Sequence, residues 1–466
     1  MKKHILLFSV FVLSLVGCNS DDSSSSGSSS ISFAQTAQNL TENETPVVIK
    51  FSKPTSAAGT ITLAVTETEA AYGEDYTTNP EGSANGLQLS FEAGVTEVTF
   101  QFNKLIPAVE GQVKNVKFSI VSNSLNLEVM GNESTTLHFN ETALSGTSLA
   151  PEVGGAGQPN QVYIDLSSGA MTTVPRVSWD LGFYSGAEFR VILNYSVKMS
   201  AKSLNSVNMA SVVTEDESML IGQGQGSVSQ IDFPSGDINQ TAIAEISAND
   251  SENYVYLINL GNSPSEVAPA LGSVAADTGA HRGWKKVRIL RDGDGYKFQY
   301  ADINATTFQE VTIAKDADYS FTFFSFNSNS VVNVEPKKDK WDINFTTFTN
   351  IVGGTVPYFY PDFVVNNGRG GAMVYSVSTN DFSYDSFSIS NVNHSNFSDD
   401  QRGIGSSWRA TSANGPGGFP VSQFVLKTDI FYVLRDPAGN IYKIKMTGGA
   451  LESQERGHPT FVYELL

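Results

Sequence analysis

The stretches VSWDLGFYS (177–185) and DKWDINFTT (339–347) share one frame: Trp-Asp, two residues, then Phe. Their tryptophans are two of only four in 466 residues and stand 162 positions apart. Upstream of each lies a similar lead-in. VYIDLSSGAMTTVPRVSWDLGF (162–183) and FTFFSFNSNSVVNVEPKKDKWDINF (321–345) both run strand, small polar turn and Val-containing strand into the motif. A second pair, VRILRDGDGYKFQY (287–300) and FYVLRDPAGNIYKIKM (431–446), reads as two β-hairpins with Leu-Arg-Asp before the turn. Two matches in the same order predict a duplicated β-unit. Successive strand residues face opposite sides, so Trp179 and Trp341 are expected as core anchors, with Asp180 and Asp342 bonding turn amides. Phe183 and Phe345 complete the motif.

The rest of the chain fits this reading. Thr, Val, Phe and Tyr alternate with period two, as in TLAVTETEA, TEVTFQFN and VKFSIVS, and turns recur about every ten residues. No stretch keeps a helical apolar period, so an all-β fold with few, short helices is expected. The expected organisation is a β-sandwich over 31–143, a Gly/Pro/Ala/Ser linker over 144–160, and two halves of one duplicated antiparallel unit over 161–316 and 317–466.

The first seventeen residues read as an export signal. Lys2 and Lys3 precede the apolar run ILLFSVFVLSLV, which is too short to span a bilayer as a mature helix. Leu15-Val16-Gly17-Cys18 resembles the lipobox of bacterial lipoproteins, which implies lipidation of Cys18. Cys18 is the only cysteine, which excludes intrachain disulfides and multi-cysteine metal sites. Residues 18–30, rich in Ser, read as a flexible tether. Its two acidic residues resemble the surface-export signals of Bacteroidetes-type lipoproteins and imply an outer-membrane, cell-surface location. Removing residues 1–17 takes away two lysines and no acid, so the net charge of −19 becomes −21. Nucleic acid, which needs a basic stripe, is thereby excluded as a partner.

Residues 31–143 resemble the Calx-β family in Glu42 of TENETPVVIKFS, in Gly73-Glu74-Asp75-Tyr76, and in Phe91 with Gly94 of FEAGVTEVTF. The resemblance implies a β-sandwich and makes Glu42, Glu74, Asp75 and Glu110 the candidate calcium ligands. Calcium wants six to eight oxygens, and NKLIPAVEGQVKN offers Lys104, Pro107 and Lys114 where calcium-binding members carry acids. The other reading of these carboxylates is a solvated loop.

Residues from about 160 to 466 resemble the HmuY family. The resemblance is carried by Trp341-Asp342-x-x-Phe345, PDFVVNNGRGGAMV (361–374), the long stretch from GSSWRATSANGPGG to YKIKMTG, and the closing PTFVYELL. It implies an all-β surface lipoprotein that binds haem for uptake or storage, with two axial ligands to iron, and implies an outer-membrane transporter as partner. The family's histidine after Trp-Asp is absent from both copies. The candidate iron ligands are therefore Tyr184, Met199, Met209, Met373, Tyr360 and His394, with gap-filling core as the alternative reading for Met and wet-edged packing for Tyr. No nucleophile elbow, H-E-x-x-H or P-loop occurs, and the chain reads as a binding protein, not an enzyme. Two functions stay open: capture of haem or a related hydrophobic small molecule, and surface adhesion or glycan binding by the aromatic run YFYPDF (358–363).

Overall fold

The computed structural model describes residues 29–466 apart from 110, 223–224, 268, 271–273, 275–277 and 415–419. The signal segment, Cys18, most of the tether and Glu110 lie outside the described residues. The fold is all-β: every helical element among the described residues is a three-residue 3-10 turn. Contacts divide the chain into two compact units, the second beginning at Thr142 and also taking in Val109–Gly111.

The first unit pairs two five-stranded sheets. One is built on Glu44–Phe51 and Glu97–Lys104, the other on Gly59–Thr68 and Asn115–Asn123. Alternation does what the sequence predicts: in Leu87–Phe91, residues 87, 89 and 91 are buried and the two between are exposed. Phe100, Phe102 and Phe118 meet Ile49, Ile61 and Leu63 between the sheets. Tyr76 stacks on Phe102 at 4.8 Å while its hydroxyl donates to Glu67 Oε1 at 2.8 Å, which satisfies the one polar atom of a buried ring.

In the second unit the two repeats exchange hairpins. Asn160–Ile164 pairs with its own Met171–Pro175 on one side and with Ile343–Val352 of the second repeat on the other, Val162 opposite Phe345. Reciprocally, Phe321–Ser325 pairs with its own Ser330–Val332 and with Leu181–Tyr184 of the first repeat, Leu181 opposite Phe324. The cores follow the pairing. Val162, Ile164 and Leu166 are buried among Ile343, Phe345 and Leu434, whereas Phe324 and Phe326 are buried among Leu181, Phe183 and Phe298. Each hairpin hides its apolar face in the other repeat, and burial of such side chains contributes about 1.5–3 kcal/mol apiece.

The Trp-Asp motifs pin this exchange. Asp180 donates its N–H to Phe324 O and accepts the Phe326 N–H at 2.7 Å. Asp342 donates to Ile164 O and accepts the Leu166 N–H at 2.8 Å. Both carboxylates are buried, so each satisfies a backbone amide just past a strand of the opposite repeat. Asp180 is additionally ion-paired with Arg282 at 2.7 Å. An asparagine closes each motif from behind. Asn194 Nδ2 donates to the carbonyls of Arg176 and Trp179, and Asn367 Nδ2 to those of Lys338 and Trp341, all at 2.8 Å.

This framework corrects one expected match. Four residues after each asparagine the backbone turns left-handed, at Gly371 (φ 108°) and at Lys198 (φ 64°), and the next strands, Met373–Ser378 and Ser200–Ser203, start at equivalent places. Counted from these strands, the hairpin Trp284–Asp292/Gly295–Asp302 supplies the third and fourth strands of its sheet. The hairpin Ile430–Arg435/Ile441–Ala450 supplies the second and third. The shared Leu-Arg-Asp is tight-turn chemistry arising at different positions.

Candidate functional site

Where the repeats interlock, the second unit encloses a cavity of about 520 Å³ lined by equivalent residues from both. Trp179 meets Phe323 edge-on at 4.7 Å, and Trp341 meets Tyr163 edge-on at 5.0 Å. Phe323 and Tyr163 both lie in the exchanged hairpin strands, so each tryptophan packs on the hairpin donated by the other repeat. The two tryptophans, expected as core anchors, are buried in one cluster and also form part of the cavity wall. The rim comes from the 231–238 loop, the turn after Asn366, and residues 399–401.

The polar groups are unevenly shared. Trp179 Nε1 donates to Gln161 Oε1 at 2.9 Å, whereas the buried Trp341 Nε1 and Asn366 Nδ2 have no protein partner. Tyr195 is hydrogen-bonded to Tyr163, and its hydroxyl accepts from Asn344 Nδ2 at 3.2 Å. Glu335, only 9% exposed, lies beside the backbone N–H groups of Phe321 and Ser320, and its buried Oε1 has no hydrogen-bond partner. Asp232 is fully occupied, its two oxygens accepting the N–H groups of Leu193 at 2.6 Å and Ala242 at 2.9 Å.

Burial sets the protonation of these groups. Desolvation pushes the Glu335 carboxyl up to about 8 against the relief of the neighbouring Phe321 and Ser320 amides, and pushes Asp232 up to about 7 against the relief of its two amide donors. It also lifts the Tyr163 and Tyr195 phenols well above their ordinary range. For Glu335 the folded state holds a proton that the unfolded state releases near 4.5. Its contribution to stability is therefore complete below that value and falls as pH rises toward about 8. The melting temperature should decline from pH 5 to pH 8, and Glu335→Gln should flatten that decline. An unchanged slope in the variant would show that Glu335 does not titrate there.

Of the candidate iron ligands, only Met199 lines the cavity. Tyr184 is half-buried against Phe321, and Met209 is buried in a separate small cluster with Val255 and Ala301. Met373 Sδ lies 2.8 Å from Arg435, Tyr360 packs beside Tyr358 and Phe363, and His394 is exposed on a 3-10 turn. No pair of them is gathered on the cavity. Tyr163 and Tyr195 are on it, but as phenols that burial keeps protonated they are poor donors to iron. The site does not fit an axially ligated haem.

The calcium candidates fare similarly. Asp75 is neutralised by Lys114 at 2.7 Å and accepts the Ala71 N–H, and Glu42 and Glu74 point to solvent. No cluster of three or more acidic, His or Cys side chains suited to a metal occurs among the described residues. The aromatic run 358–363 also differs from the expectation of an exposed surface: Phe359 and Phe363 are buried, and Tyr358 and Tyr360 half-buried. It lies in Val356–Asn366, a strand paired with Ile343–Val352, and this removes one of the features that motivated glycan binding.

Glu335, Tyr163 and Tyr195 were not legible as site residues. Glu335 sits in NVEPKK with no spacing to mark it, and the only available signal was a carboxyl between a buried-type Val and a Pro.

The family model described as HmuY protein matches twice, over residues 157–312 and 317–463. No curated protein matches. Among solved structures, the apo form of the Calx CBD1 domain is 15% identical, with a TM-score of 0.21, covering 24% of this chain and 97% of its own. A two-domain protein of unknown function from Bacteroides fragilis is 11% identical, with a TM-score of 0.19, covering 72% of this chain and 94% of its own.

Proposed function

The chain belongs to the HmuY family, a haem-binding rather than catalytic family, and from that premise we propose that it captures a small hydrophobic molecule related to haem in the cavity between its repeats. The observation that carries this is the enclosure itself. A volume of about 520 Å³, walled by tryptophans and their aromatic partners from both repeats, lies within the usual range of small-molecule sites, roughly 300–1,000 Å³. In this reading the protein is lipidated at Cys18 and displayed on the outer membrane, with the first unit as a spacer and an outer-membrane transporter as the recipient of cargo. The family suggests haem, but the absence of a gathered ligand pair favours a molecule held chiefly by its flat apolar body.

Two titrations of residues 19–466 test the reading. Nile red, a flat neutral dye, should bind saturably at one site with a blue-shifted emission and should quench tryptophan fluorescence. Haemin at micromolar concentration should give no Soret shift, oxidised or reduced. Failure of Nile red to saturate would remove the cavity as a binding site. A Soret shift would restore haem as the ligand.

A further inference from the structure

We propose that this cavity selects an amphipathic organic cation, an aromatic or alkyl body bearing an ammonium group, with Glu335 as the counter-ion; the proposal rests on the cavity being a ligand site. Three independent observations converge on it.

The first is an unpaired carboxyl. Glu335 is about nine-tenths buried beside the amides of Ser320 and Phe321. It lines the cavity, and its Oε1 has no hydrogen-bond partner. A buried carboxyl oxygen with no donor is costly unless a ligand supplies one, because the group has given up water without replacement. Asp232 shows the contrast: both its oxygens are used within the fold, and it needs no ligand.

The second is the wall. Trp179, Trp341, Phe321, Phe323 and Phe348 all line the cavity. Aromatic faces carry negative potential, so a box of them attracts an ammonium and its attached carbons. A neutral apolar ligand would use the same wall, and the wall alone does not choose between them.

The third is the charge around the opening. Among the lining residues five carry carboxyls, Asp232, Asp237, Glu335, Asp399 and Asp400, and one, Arg369, is cationic. Arg369 donates to the Gly236 carbonyl, and Asp400 is paired with Arg402. With that pair and the buried, proton-holding Glu335 and Asp232 set aside, Asp237 and Asp399 still outnumber Arg369, and a cleft lined by one sign focuses its field on what enters. Carboxylate or phosphate groups meet repulsion here, and ammonium groups meet attraction.

Binding carries a proton with it. The Glu335 carboxyl, held protonated by burial, gives its proton to solvent when the ammonium arrives and becomes the carboxylate of the ion pair. The titratable groups facing it are Tyr163 and Tyr195, which stay protonated throughout. Cation affinity should therefore rise with pH through about 8 and then level.

The test uses three fluorescent probes with one aromatic body, titrated into residues 19–466: pyrenylmethyl-trimethylammonium, whose charge does not titrate, pyrenemethanol and pyrenecarboxylate. The ammonium should bind about ten-fold tighter than the alcohol, and the carboxylate weakest. Glu335→Gln, nearly isosteric, should remove most of the ammonium's advantage over the alcohol. The pH dependence of ammonium binding in the unaltered protein provides the same readout without any substitution. Equal affinity for ammonium and alcohol, or an ammonium affinity flat from pH 6 to 9, would overturn the cation proposal while leaving the cavity a ligand site. No saturable binding by any probe would overturn both.

Discussion

Replacing Asp362 by Ala should lower the unfolding free energy by about 3–5 kcal/mol, the cost of leaving a buried charge without its partner. Asp362 sits in Val356–Asn366 with a left-handed backbone (φ 51°) and ties together three segments remote in sequence. It is ion-paired with Arg456 and, at 3.3 Å, with Arg409, and it accepts the Gln158 side-chain amide at 2.6 Å. Its own N–H donates back to Gln158 Oε1 at 2.9 Å. Both guanidiniums are buried, with side chains at most 7% exposed. Ala removes the one anion between them and places a Cβ residue without Asp's local hydrogen bonding at a left-handed position. Asp362→Asn keeps the backbone preference and one amide contact and should cost less than Ala. Urea denaturation monitored by tryptophan fluorescence measures both. A loss under about 1 kcal/mol for Ala would mean that the arginines find water or other acceptors and that the cluster is not a structural tie. Disrupting the exposed pair Lys337–Asp318 should be nearly silent by comparison.

The second large effect concerns the hairpin exchange. Residues 161–316 expressed alone should show no cooperative unfolding transition, whereas residues 176–335 should show one. The first fragment follows the sequence repeat but loses Phe321–Ser325, the strand that pairs with Leu181–Tyr184 and buries Phe324 and Phe326 in its core. It also carries the Asn160–Ile164 hairpin with no Ile343–Val352 to cover it. An unpaired hairpin with an apolar face is both unstable and prone to association. The second fragment keeps the pairing that builds this core. Thermal melts followed by near-ultraviolet circular dichroism distinguish them, and a cooperative melt of 161–316 matching that of 176–335 would show that each repeat closes on its own hairpin.

Much of the fold was legible because strand alternation is a local signal. Leu87–Phe91 could be read as a half-buried strand from its own five residues. The Trp-Asp repeat was legible because scarce residues recurred in frame. Partner choice was not. Nothing in VYIDLSSG says that its amides will meet Asp342 rather than Asp180, because the two carboxylates present the same chemistry and only the closed structure distinguishes them. The Leu-Arg-Asp hairpins misled for a related reason: tight turns draw on few residue types, so unrelated hairpins converge. The aromatics of 358–363 read as surface because a run of Tyr and Phe looks alike on an exposed edge or a covered strand. Glu335 was invisible because what makes it notable, a buried carboxyl oxygen with no partner, is tertiary.

The reciprocal exchange also bears on how unequal the two sides of the cavity can become. A single repeat pairing with a second copy of itself in the same manner would form a symmetric dimer, and every residue on one wall would recur on the other. In one continuous chain that constraint is gone. Six residues before Trp341 stands Glu335, and six before Trp179 stands Thr173. Joining the copies lets the enclosure carry a carboxyl at this position on one side only, instead of an opposed pair, which would repel each other and share a proton. A symmetric dimer would meet a lopsided guest, apolar at one end and charged at the other, with two identical walls; the fused chain can meet it with two different ones.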